Sequence, residues 1–424
     1  MGLVGDAAGT APPGRVPAVA RPSRFAMLRN PTYRNLFVTG TLIFLAMQAQ
    51  QIARGWLARE LTGTNTGLGG VWLAFGIPML LCAPAAGVVV DRFPKRTVLM
   101  WAQAVIAVAA AFMFVADAFN FIEYWMLLGA SVVHGAGMSV LGPARMSFTG
   151  EIVERHELSS SVLLMQMSMN STRVIGPSIA GALIAIKTVG TAGVYLITTV
   201  LCVIALIWSR RLPHNVSNKA LRQSPRLEFV EGLRYARSHS QLFVLIVAST
   251  SIFLIGSPYI AFLPTLASGV FDVGATGYGL MSTMGAVGAL AASFWVAGRV
   301  NSQSVWRTQT VCGIALAIGL VLLAVAPTFL FALAVIPIAG GALSGFQATN
   351  SSLVLTEAKP EYHGRMQSLM MLGWSGGAMA SLPLGLLADV IGLRSTLAAM
   401  GGGCFLVMLA VRRARSRGPA VAVT

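Results

Sequence analysis

No charged residue stands between Thr62 and Val90, and then Asp91, Arg92, Lys95 and Arg96 follow almost at once. Apolar runs of this kind recur near 36–58, 66–90, 97–116, 122–144, 160–186 and 189–209. After a polar stretch from Arg210 to Gln241 they return near 242–270, 277–298, 308–326, 328–350, 366–388 and 391–411. Each is close to the 20 or so residues that a helix needs to cross a bilayer. In hydrocarbon every backbone N–H and C=O must be paired within the protein, which makes such a run a helix. Only 10% of the chain is charged, against about 25% in a soluble domain. The sequence predicts an all-α membrane protein of twelve transmembrane helices in two six-helix bundles, with the bilayer as its main solvent.

The net charge is +16, but the cations do not form a face with interleaved aromatics, so no nucleic-acid partner is expected. They cluster instead between alternate runs, with Arg92, Lys95 and Arg96 after the second run and Arg145 and Arg155 assigned to the loop after the fourth. Others fall in the 210–241 stretch, ahead of the first run and beyond the last, whereas the opposite side holds only Arg54, Arg59, Lys187 and Arg394. Loop Lys and Arg set topology, and the basic side is cytoplasmic. The expected organisation is a disordered cytoplasmic tail at 1–33, one bundle at 34–210, a cytoplasmic linker at 211–241, a second bundle at 242–411 and a cytoplasmic tail at 412–424. Within the linker, Leu227, Val230 and Leu233 recur at helical spacing among Arg226, Arg234 and Arg237, which predicts an amphipathic helix on the inner membrane surface. The expected location is a bacterial inner membrane, with multiple passes and both termini inside. Cys82, Cys202, Cys312 and Cys404 lie apart in apolar runs without ligand spacing and read as small buried hydrophobes.

The halves also resemble each other. "GAGMSVLGPARMSFTGEIVERHELSSSVLLM" from Gly135 and "GALSGFQATNSSLVLTEAKPEYHGRMQSLMM" from Gly341 bring Gly135 onto Gly341 and Glu151 onto Glu357 in one register. Paired six-helix repeats are a layout of secondary transporters, with the substrate held near the bilayer midplane between them.

With these features the chain resembles the major facilitator superfamily, whose G-x-x-x-D-R-x-G-R-K motif between spans two and three is matched here by Gly87, Asp91, Arg92, Lys95 and Arg96. Pro94 stands where the family has its second glycine. The resemblance covers about residues 30 to 412. It implies the major facilitator fold and a cytoplasmic latch in which Asp91 meets helix ends and basic residues of neighbouring spans. In span five, Gly176, Pro177 and Gly181 resemble the GPxxGG pattern of antiporters, with Ala180 in place of one glycine. "RGWLARELTG", "GPARMSF" and "IGPSIAG" are similar to an enterobactin-exporter-like, drug-efflux subgroup. "GLLADVIG", Gly385 to Gly392, imitates the latch motif at an outer helix end and reads as turn punctuation.

Polar residues within the runs are the candidate substrate contacts, because buried charge is expensive in lipid and usually faces a cavity or a partner. Arg173 stands near the middle of span five, with Asn170 on a similar face. His134 is mid-span in the fourth run and carries a ring that titrates near neutral pH. Gln48, Gln51 and Arg54 form a stripe on the first, Arg54 being placed to reach the outer aqueous vestibule. Trp374 sits among Gly373, Gly376 and Gly377. Glu60, Asp117, Glu123, Asp272 and Asp389 are all near outer ends, so the proton carrier stays open between His134, Asp91, an outer-end acid and the substrate itself. GxxxxGK[ST] and HExxH are absent from the sequence. No enzyme activity and no cofactor are expected. The function expected is secondary active transport by alternating access, with proton-driven export of a bulky, partly apolar small molecule such as a drug or siderophore. Uptake or exchange of an organic anion is the alternative, and a non-transporting membrane sensor or assembly protein a further one. The expected partners are the small-molecule substrate, protons and the lipid bilayer.

Overall fold

A computed structural model of the chain describes residues 26–154, 157–214, 225–297 and 302–416. The first half consists of α1 (Pro31–Thr62), α2 (Asn65–Arg92), α3 (Lys95–Ala118), α4 (Tyr124–Ile152), α5 (Leu158–Ala185) and α6 (Gly190–Ser209). A shorter helix, α7 (Pro225–Ser238), follows. The second half consists of α8 (Ser240–Gly256), α9 (Gly274–Ala297), α10 (Ser302–Ala324), α11 (Phe329–Glu357), α12 (His363–Ile391) and α13 (Leu393–Ser416). Residues 1–25, 215–224 and 417–424, which fall in the expected tails and linker, lie outside the described residues.

The helix ends follow local chemistry. Asn30 caps α1 by accepting from the backbone N–H of Thr32 and Tyr33, with Pro31 at the first helical position. Gly63 closes α1 at φ 65°, a left-handed conformation that suits glycine. Past Gly256 the path of α8 continues through a 3-10 turn at Ser257–Phe262, one α turn and a π turn at Leu266–Val270. Pro258 and Pro264 have no N–H to give to the regular ladder, which fits this change of pitch.

Eleven helices among the described residues are long and apolar enough to cross a membrane, α8 being counted through Val270. The twelfth is α5, 28 residues long, whose Gln166, Asn170 and Arg173 lower its hydropathy because they face a cavity. On α3, Trp101, Val105, Val108, Phe112 and Val115 are all exposed at a spacing of three or four residues, the stripe of a lipid-facing helix.

The two halves repeat one packing scheme. In the first, α2 packs on α4 and α3 on α6. In the second, α9 packs on α11 and α10 on α13. Between the halves, α5 packs on α9 and, equivalently, α12 on α2. Interhelical bonds tie each half together: Tyr33 Oη donates to the Ser161 carbonyl at 2.7 Å, Ser209 Oγ to Gln103 at 3.0 Å, and Gln309 Nε2 to Asn350 Oδ1 at 2.6 Å. The helix α7 docks on the start of α12, where the Tyr235 ring stacks on Tyr362 at 3.8 Å and Glu231 pairs with Arg365 at 2.8 Å. These contacts give the expected surface helix a protein partner.

The buried apolar side chains show where the halves join. The largest cluster runs from Ile52, Leu57, Leu68 and Ile184 of the first half to Phe253, Phe262, Tyr278 and Leu397 of the second. At the other end the clusters are separate, one around Leu36, Leu99 and Phe148 and one around Leu245, Val354 and Leu369. The molecule is therefore fused at the end bearing the α1–α2 turn and split at the end bearing the α2–α3 turn.

Close helix approach within a half rests on glycines. A Cβ added at Gly288 of α9 would collide with the Pro337 backbone of α11. Gly288→Leu is expected to lower stability by about 3 kcal/mol, the upper part of the overpacking range, read as a lower melting temperature in detergent. Gly402→Leu, where the added Cβ meets nothing within 4 Å, is expected to melt with the parent protein.

Candidate functional site

The split between the halves is a cavity of about 2980 Å³, lined by both bundles. Its mouth includes Gly87, Arg92 and Val230, and its floor includes Tyr259 and Tyr278 at the fused end. The mouth is at the basic end of the molecule, the end expected to face the cytoplasm.

Three contacts seal the floor. On α2 and α12, Gly76 would place a Cβ 2.8 Å from Ala378 Cβ, and a Cβ on Gly69 would overlap the Ser381 backbone. On α5 and α9, a Cβ on Gly181 would lie 2.7 Å from Gly279 Cα, and Ser178 and Thr283 share a hydrogen bond of 2.6 Å. Small residues permit this backbone approach, which is how helices associate where there is no hydrophobic drive between them. The third contact is polar. The Asp389 carboxylate of α12 accepts from the N–H groups of Asn65 and Thr66, both at 2.8 Å, and from the Asn65 amide and Thr66 hydroxyl at 2.9 and 2.6 Å. An acid from one half thus caps the first turn of a helix in the other, where unpaired donors and the helix dipole favour negative charge. This corrects the reading of "GLLADVIG" as turn punctuation. Its acid fastens the two halves together.

The structure places the candidate substrate contacts Gln48, Gln51, His134, Asn170, Arg173 and Trp374 all on the cavity wall. Arg173 is exposed to the cavity. His134 is 5% exposed, edge-on to Phe75 at 5.6 Å, with Nδ1 unpartnered. Gly176 packs on α1, where an added Cβ would lie 2.7 Å from Gln48 Cβ, and Pro177 lines the cavity beside it.

Two arginines differ from the sequence reading. Arg54 is 5% exposed, with Nη1 3.4 Å from Ser131 Oγ, and lines the cavity. It is enclosed in the fused end and does not reach an open vestibule. Arg145 was assigned to a loop, but it belongs to α4 and is 3% exposed. Its guanidinium carbon lies 4.8 Å from the centre of the Phe44 ring, over Gly40, and no guanidinium nitrogen has a hydrogen-bond partner. The sequence gives no signal for this, since Gly142-Pro143 reads as a helix break, whereas α4 accommodates Pro143 within it.

At the mouth, Gly87 and Arg92 line the cavity. Lys95 turns away to pair with Glu151 of α4 at 2.5 Å. Arg96 is half-buried, and the side chain of Asp91 lies outside the described residues. Cys202, Cys312 and Cys404 are buried free thiols and Cys82 is half-buried.

Comparisons with known proteins agree with this geometry. The profile of a family described as transmembrane secretion effector matches residues 22–421. The staphyloferrin A transporter of Staphylococcus aureus is 24% identical over 86% of this chain and 91% of its own length. Macrolide efflux protein A of Streptococcus pyogenes is 22% identical over 80% of this chain and 84% of its own. A bacterial homologue of the iron transporter ferroportin in an inward-facing state superposes with a TM-score of 0.74 at 17% identity, covering 92% of this chain and all of that one. An inward-facing bacterial homologue of the lysosomal transporter Spinster gives 0.71 at 14%, covering 95% of this chain and all of its own.

If Asp389 holds the sealed end, Asp389→Ala should loosen it. A carboxylate at a helix N-terminus is worth up to about 1 kcal/mol at an exposed site, or roughly a fivefold shift in population. Spin labels at the exposed Leu61 and Val390 are expected to show about five times more of a longer-distance population in the variant than in the parent protein.

Proposed function

We propose that this chain, which belongs to the transmembrane secretion effector family of the major facilitator superfamily, exports a bulky, partly apolar small molecule by alternating access, driven by proton entry. That it is a transporter and not an enzyme follows from its family. Export and its energy source are our reading. The observation that carries it is the one-sided cavity between two repeated halves. Its volume exceeds the roughly 300–1,000 Å³ of ordinary ligand pockets, and its wall mixes Trp72, Phe75 and Trp374 with amides and arginines. A cargo with an apolar body and polar groups suits such a wall. Two relatives support this reading, the staphyloferrin A transporter for a cargo of that kind and macrolide efflux protein A for the direction.

In this state the cavity is open at the basic end. Switching requires the α2–α12 and α5–α9 seals to part while the halves close over the mouth. There the Gly87–Arg96 turn, with Asp91 as its acid, is proposed to latch the alternate state. One charge crossing 100 mV releases about 2.3 kcal/mol, and each tenfold gradient requires about 1.4 kcal/mol. One proton per cycle therefore supports a gradient of roughly 40-fold for an uncharged cargo.

Cells expressing the protein should accumulate less of at least one compound in a panel of amphipathic drugs and siderophores, by up to roughly 40-fold, and a protonophore should abolish the difference. Equal accumulation with and without the protein across the panel would refute export. Separately, Asp91→Asn should slow turnover about tenfold while changing cargo affinity less than twofold, measured by efflux rate and by binding to the purified protein.

A further inference from the structure

We infer that the cavity selects anionic cargo, bound by a row of arginines on the wall formed by α1, α4 and α5. The inference rests on the transport reading above and names its substrate class. Among the described residues, the lining contains Arg54, Arg92, Arg145, Arg173 and Arg365 and a single carboxylate, Glu361. Arg365 is paired with Glu231, and Arg92 is at the mouth. Arg54, Arg145 and Arg173 remain, all within spanning helices, and no described acid pairs with any of them.

Arg145 and Arg173 lie beside the Gly40–Gln48 stretch of α1, and Arg54 lies deeper. Arg145 stands over Gly40 and Phe44 of α1. Arg173 is one turn from Gly176, which packs on Gln48 of α1. Arg54 is on α1 itself, near the sealed floor beside Ser131. At about 1.5 Å per residue, Gly40 to Arg54 spans roughly 20 Å, a length that several charged groups of one cargo could follow. The row belongs to the first half alone. The second half faces it with Tyr259, Tyr278, Trp374 and Gln347, which gives the cargo an apolar and amide side and a cationic side.

Arg145 is the sharpest member. A buried guanidinium with no hydrogen-bonded partner is expensive. Phe44 supplies one face of it. Its N–H donors are buried against Gly40 of α1, so a planar acceptor meets them once the side chain turns out of the α1–α4 contact into the cavity it borders. A carboxylate or phosphate meets that fork with two parallel bonds. Positive charge of this kind repels cations, so selection works in both senses. Expulsion of a negative charge and entry of a proton also run the same way across an inside-negative membrane, so the two driving forces add.

Binding by the purified full-length protein in neutral maltoside micelles tests this, with fluorescence anisotropy of carboxyfluorescein as the anionic probe and rhodamine 6G as a cation on the same ring system. Saturable binding of carboxyfluorescein, displaced by citrate and absent for rhodamine 6G, is expected. R173Q and R145Q should each weaken it about tenfold or more, and R145K should restore part of the loss. R145Q should also melt no lower than the parent protein, because it removes an unpaired buried charge, whereas an arginine with a purely structural role would leave binding intact and lower the melting temperature. Absence of saturable anion binding, equal binding of the cation, or binding unchanged in both glutamine variants would each overturn the inference. The export reading is judged separately by the accumulation panel: export without anion binding defeats the inference alone, and anion binding without export defeats the export reading.

Discussion

The structure depends on close backbone contact between the halves at one end only. In lipid there is no hydrophobic gain from bringing two apolar helices together, so association must come from van der Waals fit and polar pairing. The sealed end has both. Gly69 meets Ser381, Gly181 meets Gly279, and Asp389 supplies the acceptors that the first turn of α2 lacks. Without these contacts the shared cluster of buried side chains could not form and the cavity would have no floor. Because α5–α9 and α2–α12 are equivalent under the internal repeat, the seal is made twice by the same device. A displacement that breaks one copy strains the other, which is how two packed arrangements come to exchange as alternatives instead of deforming by degrees.

Each half must stay rigid for this to work. The pairs Tyr33–Ser161, Ser209–Gln103 and Gln309–Asn350 lie wholly within one half, and so does the Lys95–Glu151 ion pair. By contrast, the polar contacts between halves, at Asp389 and at Ser178–Thr283, sit at the sealed end. Polar bonding thus holds each bundle together along its length and joins the two at a single level. At the open end the clusters stay separate, and the glycines lining it, Gly87, Gly142 and Gly364, have nothing packed against them within 4 Å of an added Cβ.

The sequence made the helices legible because runs such as 97–116 are apolar on every side, and the repeat made their grouping legible. Gln48, Asn170, Arg173 and Trp374 all lie on the cavity wall, since a polar residue in the middle of a span has few other places to go. The run at 160–186 is the least apolar of the twelve, because the cavity face of α5 is polar. Arg145 was illegible. Near the end of a run, an arginine that snorkels out and one that turns inward have the same local sequence, and what decides is Gly40 on another helix, which leaves room for the guanidinium. The role of Asp389 was hidden in the same way. Its partners, Asn65 and Thr66, are on the far side of the repeat, and nothing near Gly385–Gly392 announces them.

Arg145 and Arg173 also show why burial alone is a poor guide to the chemistry of such a cavity. Arg173 faces open space between the halves, where water can solvate it, so its presence requires only that the cavity be wet. Arg145 has no such relief: it is 3% exposed and in contact with an aromatic ring. A charge kept there in the state open to the basic end is destabilising in that state unless something anionic arrives. Occupancy by such a cargo removes the penalty, and whether the penalty returns when the halves rock decides whether cargo is held or released. On that reading the arginine couples binding to switching through its own desolvation, since a ligand moves a two-state equilibrium only by the difference in its affinity for the two states.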